Sequence, residues 1–280
     1  MKPLRISIVE YLNTTPLVRG FTHGPLRGRY ELSFTVPSQC AEALRMREVD
    51  IAIIPAIEYQ RIDGLVLLPD LSISSKRSVR SLLLIAKKPI REVRKIALDR
   101  SSRSTQVLTK ILCARRWHIE PTFFEMEPDL PAMLEKADAA LLIGDPALNF
   151  ALNGSDPPEA TVTTNYEVYD IVETWHALTN LPAVLAVWAG RPEVITKEVV
   201  RDFQDSLAFG AKQMKQITEE AAPQMKLPAE ELLRYLTQNI DYTLDLENLR
   251  GLRRYYELAA EIGVIPQVRE IVVAKEAVRV

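Results

Sequence analysis

Three short polar segments of the sequence carry side chains suited to binding a small anion, and each follows a run of apolar residues. The segments are YLNTT, which begins at Tyr11, DRSSRST, which begins at Asp99, and GDPAL, which begins at Gly144. Amides, hydroxyls and the free N–H groups at a helix start bind carboxylates and phosphates, and a carboxylate side chain can accept a proton. The candidate side chains are those of Tyr11, Asn13, Thr14, Ser104, Thr105 and Asp145.

The second and third segments also have a purely structural interpretation. Serine and threonine are favoured at the N-cap of a helix, so Ser104 and Thr105 could serve only the helix that follows them. Asp145 precedes Pro146, a residue favoured in the first helical turn, and could cap its own helix in the same way. The sequence alone leaves both interpretations open.

Ser81 is a further polar candidate, because it stands at the entrance of the apolar run LLLIA. Arg80 precedes it, and neither residue fits a solvated turn well, since a polar group entering a buried strand needs hydrogen-bond partners. We therefore include Ser81 among the expected substrate-binding residues.

Other kinds of catalytic site are not indicated. The nucleotide-binding patterns G-x-x-x-x-G-K-[ST] and G-x-G-x-x-G are absent, as is the nucleophile elbow G-x-S-x-G. His23, His118 and His176 lie far apart in the sequence and show no metal-ligand spacing. Cys40 and Cys113 form neither a disulfide framework nor a metal pattern. We expect neither a metal nor an organic cofactor.

The bulk properties fit a protein that acts on a small molecule. The 280 residues, 47% of them hydrophobic, suffice for one large or two small domains. A net charge of −2 argues against a nucleic-acid or membrane-surface partner. No apolar run approaches the roughly 20 residues of a membrane-spanning helix, and no secretory signal pattern is visible. We expect a cytoplasmic protein with reduced thiols.

Alternating strand and helix patterns predict an α/β fold with mostly parallel sheets flanked by helices. Seven apolar runs resemble buried strands, and helical patterns at residues 38–48 and 104–116 lie between them. The C-terminal third is helical, with patterns over residues 194–219 and 230–240 and a last helix that stops at Gly263. The predicted strands are residues 6–9, 49–54, 65–68, 81–86, 96–98, 139–143 and 183–188.

Two candidate joints indicate that the chain crosses between two domains twice. Residues 87–94 are charged and interrupted by a proline, and residues 177–182 form the second joint. We expect a discontinuous lobe 1 made of residues 1–88 and 182–280, a lobe 2 made of residues 89–181, and a ligand cleft between the lobes.

Six segments between residues 5 and 190 form a specific combination, although each alone is weak. They are YLNTTPL, PSQCAEALRMREVDIAIIPAIEY, VRSLLL, LDRSSRSTQVLTKIL, ALLIGDPAL and ETWHALTNLPAVLAVWAG. This combination resembles the chorismate dehydratases of the futalosine route of menaquinone biosynthesis. The resemblance implies the two-lobed periplasmic-binding-protein fold of the second type, with the ligand between the lobes. One departure is Asn180, where the family more often has glycine.

The reaction that the resemblance implies is catalysed by a hydro-lyase and removes water from chorismate. The product is 3-[(1-carboxyvinyl)oxy]benzoate, and formation of its aromatic ring favours the elimination. The enzyme must then mainly orient the reacting bonds and exclude water. We expect Asn13 to hydrogen-bond the departing hydroxyl or the developing charge, with Tyr11 and Thr14 shaping its surroundings.

The remaining candidates have roles in binding and in proton transfer. Ser81 is expected to face Asn13, while Ser104 and Thr105 hold a substrate carboxylate at a helix start, so that uncharged groups bind the substrate. The proton acceptor is either Asp145 or the substrate's own enolpyruvyl carboxylate.

Other functions remain open at this point. A cytoplasmic or exported solute-binding protein for a small aromatic carboxylate would have the same architecture, and fold alone does not fix function. The sister enzyme, which cyclises a dehypoxanthinyl futalosine derivative, typically begins with a Cys-Pro-Asn-Asp stretch that is absent here. A sensor of a small aromatic acid is a third alternative. In each case the partner is a small molecule, and we expect a monomer or weak homodimer.

Overall fold

The structure, a computed structural model, describes residues 3–153 and 166–274 and contains two five-stranded sheets. The strands are β1 (Arg5–Val9), β2 (Glu31–Thr35), β3 (Ile51–Pro55), β4 (Val66–Ser75), β5 (Leu82–Ala86), β6 (Lys95–Asp99), β7 (Thr122–Met126), β8 (Ala139–Ile143), β9 (Glu167–Asp170) and β10 (Ala183–Gly190). The helices are α1 (Thr15–Thr22), α2 (Pro37–Arg45), α3 (Ala56–Arg61), α4 (Ser104–Leu112), α5 (Leu130–Lys136), α6 (Gly144–Asn153), α7 (Ile171–Thr179), α8 (Lys197–Ala211), α9 (Met214–Met225), α10 (Ala229–Arg234) and α11 (Leu246–Glu261). Short 3₁₀ turns cover Leu12–Thr14 and Ile90–Glu92, and π-helical turns, Cys113–Trp117 and Tyr235–Asn239, extend α4 and α10.

Each sheet has four strands that run in one direction and one that runs in the opposite direction. The first sheet has the order β2-β1-β3-β10-β4, and β10 is antiparallel to both of its neighbours. The second sheet has the order β7-β6-β8-β5-β9, and β5 is antiparallel to both of its neighbours. The reversed strand is in each case the first strand after the chain crosses into that sheet. The predicted α/β class with mostly parallel sheets is confirmed.

The first crossing lies earlier than the sequence predicts. A boundary after residue 88 would leave β5 in lobe 1, but Leu82–Ala86 pairs with β8 and β9 of the second sheet. The charged residues 87–94, taken as a joint, instead connect β5 to β6 within that sheet. We therefore infer that lobe 1 is built on the first sheet and lobe 2 on the second. The crossings then lie just before Leu82 and between Thr179 and Ala183.

The return crossing explains the asparagine found where glycine is more common. Asn180 ends α7 in the left-handed region, with φ of 55°, and its N–H donates to the His176 carbonyl at 2.7 Å. Glycine adopts this conformation most readily, and asparagine is the next most frequent residue there. Two residues later, the Trp175 indole N–H donates to the Pro182 carbonyl at 3.0 Å, which fixes the path back to lobe 1.

The strands that the sequence analysis missed lie at sheet edges. Strands β2, β7 and β9 are edge strands with largely exposed or half-buried residues, so they lack the continuous apolar run of a central strand. By contrast β3, β5 and β8 are buried throughout. The helix predicted over residues 194–219 is two helices, α8 and α9, separated at residues 212–213.

Close packing of α1 against α8 fixes the segment that follows β1. A Cβ atom on Gly210 would lie 2.1 Å from the Pro16 carbonyl oxygen, and one on Gly20 would lie 2.5 Å from Cα of Ser206. The Ser206 hydroxyl also accepts the Gly20 N–H at 3.1 Å. The start of α1, and with it the turn Leu12–Thr14, is therefore held against the body of lobe 1.

Candidate active site

A cavity of about 490 Å³, its open mouth included, lies between the lobes. It is bounded by the segments that follow β1 and β3, by the end of β8 and by the start of α4. Ligands of open α/β folds bind at such carboxyl ends of strands. Its wall is largely apolar, and its polar residues are Tyr11, Asn13, Ser102, Arg103, Ser104 and Thr105.

Asn13 enters the cavity from the 3₁₀ turn between β1 and α1. Tyr11 is extended, with φ of −118° and ψ of 154°, and the chain then turns through Leu12–Thr14 before Pro16 supports the start of α1. Asn13 is 8% exposed and Thr14 is fully buried, and the Thr14 hydroxyl donates to Asn13 Oδ1 at 3.4 Å. Thr14 therefore orients the amide from behind, while Asn13 itself lines the cavity.

Ser81 lies behind the cavity wall. It is 1% exposed and its hydroxyl accepts a hydrogen bond from the Tyr235 hydroxyl at 2.9 Å. Burial raises the pKa of Tyr235, and side-chain hydrogen bonds with Ser81 and Asn13 oppose that rise. Ser81 is thus held by Tyr235, a residue that the sequence analysis did not single out.

The start of α4 forms the facing wall in lobe 2. Ser104 and Thr105 both line the cavity, and Arg103 precedes them at the N-cap. Within the described residues, no side chain caps this helix, so the interpretation of the segment as a simple N-cap is wrong. The N–H groups of a first helical turn and a guanidinium are both of the kind that binds an anion.

Arg103 adds a charged side chain to the uncharged groups that are expected to hold the ligand. Among the described residues that line the cavity, Arg103 is the one with a permanent charge. Its side chain makes no hydrogen bond or ion pair with any described residue. A guanidinium presents several donors in a planar fork that matches a carboxylate. The sequence analysis overlooked it because its neighbours in SSRST suggested a cap.

Ser104 also joins the two lobes. Its hydroxyl oxygen accepts the Ile57 N–H from α3 at 3.2 Å, and its carbonyl accepts the Tyr255 hydroxyl from α11 at 3.0 Å. The hydroxyl proton of Ser104 is not used in either contact and remains available to a ligand. The residue therefore serves lobe closure as well as the cavity wall.

Tyr11 is connected to a buried carboxylate by one serine. Ser101 donates its N–H to Asp99 Oδ1 at 2.9 Å and its hydroxyl to the same atom at 2.6 Å. Since that proton is committed, the contact of 3.3 Å between Tyr11 and Ser101 has Tyr11 as donor. Burial raises the pKa of Tyr11 to about 12, so the phenol is neutral at physiological pH.

Asp145 lies at the junction of the lobes. The Leu12 N–H approaches Asp145 Oδ1 at 3.1 Å and Oδ2 at 3.3 Å, which connects the turn before α1 to the first turn of α6. Burial raises the pKa of Asp145 to about 6, against the lowering effect of the Leu12 N–H. Its recorded contact is thus to the other lobe, and it is not among the cavity-lining residues.

Gly144, next to Asp145, packs directly on Tyr11. Its φ is +64°, and a Cβ atom there would lie 2.7 Å from the Tyr11 ring. The Ser38 N–H of α2 also donates to the Ser101 carbonyl at 3.1 Å. With the contacts of Leu12 and Ile57, these interactions show that the two lobes are closed on each other around the cavity.

The structure therefore places five of the seven candidate residues at the cavity, four in its lining and one behind it. Tyr11, Asn13, Ser104 and Thr105 line the cavity, and Thr14 supports Asn13. The other two candidates, Ser81 and Asp145, lie outside the lining, behind Tyr235 and at the lobe junction. Arg103 could have been identified from the sequence, whereas the contact between Tyr235 and Ser81 is visible only in the fold.

Neither a metal cluster nor a membrane span is found in residues 3–153 and 166–274. No group of three or more His, Cys, Asp or Glu in this part of the chain could hold a metal ion. No helix in it is long and apolar enough to cross a membrane.

Two lobes around an interlobe cavity define a periplasmic-binding-protein-like fold, and comparisons with solved structures agree. A protein of Archaeoglobus fulgidus superimposes with a TM-score of 0.74 at 21% identity, covering 94% of this chain and 98% of that one. The periplasmic aliphatic sulphonate binding protein of Escherichia coli gives a TM-score of 0.62 at 19% identity, covering 95% and 94%. The expected two-lobed fold is confirmed.

The chain belongs to the menaquinone biosynthesis family, whose model matches residues 4–261. A chorismate dehydratase of Thermus thermophilus is 28% identical over 266 residues, which cover 92% of this chain and 95% of the relative. The resemblance noted in residues 5–190 therefore extends through the helical C-terminal third.

Proposed function

We propose that this protein is a hydro-lyase that converts chorismate into 3-[(1-carboxyvinyl)oxy]benzoate and water. The observation that carries the proposal is the cavity in which Asn13 of lobe 1 faces an uncapped helix start and Arg103 of lobe 2. Family membership and the chorismate dehydratase relative support the same reaction.

The lobe 2 wall binds the carboxylates of the substrate. Chorismate carries two, one on the ring and one on the enolpyruvyl group, and the guanidinium of Arg103 can form a paired, charge-assisted contact with one of them. The N–H groups at the start of α4 and the hydroxyls of Ser104 and Thr105 add neutral donors at the same wall. The apolar remainder of the cavity accommodates the ring.

Asn13 acts on the hydroxyl that leaves. Its Oδ1 accepts from Thr14, so the amide NH₂ group is directed away from Thr14, and an N–H can donate to the departing oxygen. A donor placed where negative charge develops lowers the barrier because it needs no reorganisation during the reaction. An amide is not a base at neutral pH, so Asn13 does not take the proton.

The proton acceptor in this proposal is the substrate's own enolpyruvyl carboxylate. Asp145 is set back from the cavity and its carboxylate accepts the Leu12 N–H, which supports a structural role. The reacting C–H and C–OH bonds of chorismate lie on one face of its ring. The carboxylate removes the proton, the C–H electron pair forms the ring double bond, and the hydroxyl leaves and takes up the proton as water.

The lobes contribute by closing around the reacting ring. Contacts between Tyr11 and Ser101, Leu12 and Asp145, and Ile57 and Ser104 all connect lobe 1 to lobe 2. Closure orients the bonds that break and excludes bulk water from a site that must release a hydroxyl in a defined direction. Closure on ligand binding is a property that we assign to this chain together with the reaction.

Turnover of chorismate by the purified protein tests the proposal. We expect the ultraviolet spectrum of the product to be that of a substituted benzoate and its mass to be lower than that of chorismate by one water. Chorismate incubated alone controls for spontaneous rearrangement. Tight binding of chorismate without product would overturn the proposal and favour the solute-binding alternative.

The proposal also covers the cellular location and the oligomeric state of the protein. We assign the protein to the cytoplasm, where chorismate is available, and expect a monomer or weak homodimer, since one chain supplies both walls of the cavity. A size-exclusion profile with light scattering that gives a stable larger assembly would contradict the second point.

A further inference from the structure

The Tyr11 hydroxyl ends a chain of hydrogen bonds that begins at a buried carboxylate. Asp99 is fully buried at the end of β6, and Ser101, two residues later, contacts the Tyr11 hydroxyl at 3.3 Å. We propose that Asp99 and Ser101 are positioning residues, which hold the Tyr11 phenol as an acceptor for the hydroxyl of the substrate. The inference rests on the proposed function and deepens it, because it names the side chain that distinguishes the substrate from its dehydrated product.

The protons along this chain are all directed from Tyr11 towards Asp99. Asp99 Oδ1 accepts the Ser101 N–H at 2.9 Å and the Ser101 hydroxyl at 2.6 Å. A serine hydroxyl has one proton, so Ser101 Oγ can only accept from Tyr11. Tyr11 therefore donates its own proton to Ser101, and its oxygen has only lone pairs left for a ligand.

Tyr11 is held at its ring as well as at its hydroxyl. A Cβ atom on Gly144 would lie 2.7 Å from the ring, so the backbone of lobe 2 packs directly against it. The next residue, Leu12, donates its N–H to Asp145 of the same lobe. Because Tyr11 also lines the cavity, the closed molecule presents a fixed acceptor to the ligand.

This acceptor matches one group of chorismate. The two carboxylates of chorismate are acceptors when ionised and cannot donate to Tyr11, whereas its ring hydroxyl can. A hydroxyl has one proton and two lone pairs, so it can accept an N–H of Asn13 while it donates to Tyr11. Tyr11 and Asn13 lie on the same segment after β1 and line the same cavity. Together they would fix the rotation of the hydroxyl that leaves.

A purely structural role of this chain predicts a different result. The contact of the Ser101 N–H with Asp99 is an ordinary turn interaction, and the contact of Tyr11 with Ser101 joins the lobes. If it served closure alone, its loss would weaken every ligand that the closed lobes hold. If Tyr11 recognises the hydroxyl, its loss weakens chorismate and spares the product, which has two carboxylates but no hydroxyl.

The test compares chorismate with its product in Tyr11→Phe, which keeps the ring that packs on Gly144 and removes the acceptor. We expect kcat/KM for chorismate to fall about three- to tenfold, as for the loss of one neutral hydrogen bond. The inhibition constant of 3-[(1-carboxyvinyl)oxy]benzoate should change by less than about twofold. Equal weakening of both ligands, or a wild-type kcat/KM, would overturn the inference.

Tyr30→Phe is the matched control for this variant. The Tyr30 hydroxyl is on a half-buried side chain, as in Tyr11, and it donates to the Asp202 carboxylate outside the cavity. Both constants should equal those of wild type.

Ser101→Ala tests the positioning step. The variant retains the backbone N–H that donates to Asp99 and removes the hydroxyl, so Tyr11 loses the acceptor of its proton. We expect kcat/KM for chorismate to fall about two- to fivefold with the product constant unchanged. Adding Ser101→Ala to Tyr11→Phe should lower kcat/KM no further, whereas multiplying losses would contradict action through Tyr11. Ser75→Ala, which removes a buried hydroxyl that donates to the Ser78 carbonyl, is the control.

Two substitutions of Asp99 test the start of the chain. Asp99→Asn keeps an oxygen that can accept both donors of Ser101, and Asp99→Ala does not. The preference for chorismate over the product should therefore fall more in Asp99→Ala than in Asp99→Asn. An equal preference in the two variants would contradict the role of Asp99. Should Asp99→Ala not fold, Ser101→Ala still decides whether the chain positions Tyr11.

The same measurements distinguish failure of the inference from failure of the proposed function. A wild-type protein that binds chorismate without forming product contradicts the function. A wild-type protein that forms product, accompanied by a Tyr11→Phe variant with the same kcat/KM, contradicts only the role of Tyr11.

Discussion

The two walls of the cavity are built in different ways. On the lobe 1 wall, the Asn13 amide oxygen accepts a hydrogen bond from the Thr14 hydroxyl, and behind the wall the Tyr235 hydroxyl donates to Ser81. On the lobe 2 wall, the start of α4 has no side-chain cap from the described residues, and Arg103 has no polar partner among them. The polar groups of the first wall have partners in the protein itself, whereas those of the second wall are the ones that our proposal assigns to an anionic ligand.

This difference assigns separate tasks to the walls. A donor that the protein holds in place before binding contributes mainly to the transition state, because its orientation costs nothing during the reaction. Donors that are satisfied only by the ligand contribute mainly to binding. Substitutions in the lobe 1 wall should therefore lower kcat, and substitutions in the lobe 2 wall should raise KM.

The largest effect is expected for Asn13→Ala, which removes the preorganised donor. We expect kcat to fall by about 10²- to 10³-fold with little change in KM, as for the loss of one oxyanion-type donor. Initial rates of product formation measure this. Asn153→Ala, which removes an exposed amide that donates to Asn149 Oδ1 within α6, is the control. Turnover of Asn13→Ala close to wild type would remove Asn13 from the mechanism.

Arg103→Gln should affect binding instead. It keeps a polar, though shorter, side chain but removes the charge-assisted contact with a carboxylate, which is worth about 1.5–3 kcal/mol. KM should therefore rise about 10- to 100-fold at nearly constant kcat. Arg100→Gln, in the same loop but paired with Glu127 on the surface, should leave both parameters unchanged. A fall in kcat at constant KM would show that the walls do not divide their tasks as proposed.

Asp145→Asn tests the junction between the walls. The pKa of Asp145 is raised from 3.8 to about 6, so the folded state binds the proton more tightly than the unfolded chain. The ionised carboxylate therefore costs stability above about pH 6, and this cost disappears below about pH 4. The variant should be more stable than wild type by about 1–3 kcal/mol at pH 8, and equally stable at pH 4.

Urea unfolding at both pH values measures this difference, with Asp205→Asn on the exposed face of α8 as control. The same variant bears on the proton acceptor. If the substrate carboxylate takes the proton, kcat of Asp145→Asn stays within about tenfold of wild type, whereas loss of several decades with retained binding would assign the base to Asp145.

The smallest effect is expected for Ser104→Ala. The variant leaves the buried Ile57 N–H without its acceptor and so weakens lobe closure by about 1 kcal/mol, which should raise KM about fivefold. Ser33→Ala, which removes a hydroxyl at the exposed edge strand β2, is the control. A KM equal to that of wild type would show that this contact forms no part of closure.

The sequence supports prediction of those parts of the site that one segment carries alone. Asn13 follows a buried strand and is held by its own neighbour Thr14, so the local pattern suffices to predict a polar side chain at the end of that strand. The same holds for the central strands β3, β5 and β8, whose apolar runs are continuous. Such features depend on short stretches of chain, and the hydrophobic pattern of each stretch predicts its structure without knowledge of the rest of the fold.

The features that could not be predicted depend on the meeting of distant segments. Tyr235 approaches Ser81 only because a π-helical turn and the double crossing of the chain bring them together. Asp145 resembles a helix cap in sequence, but its partner is the Leu12 N–H of the other lobe. The first crossing was placed too late because β5, a buried strand, carries no mark of which sheet it joins.

The contact between Gly144 and Tyr11 also has a consequence for how the family can diverge. A side chain at position 144 would meet the Tyr11 ring and force a positive φ on a residue with a Cβ atom, so it would disfavour closure without touching the ligand. A smaller residue at position 11 would relieve the clash but leave a void in the closed molecule. Among related chains, these two positions from opposite lobes are therefore expected to co-vary.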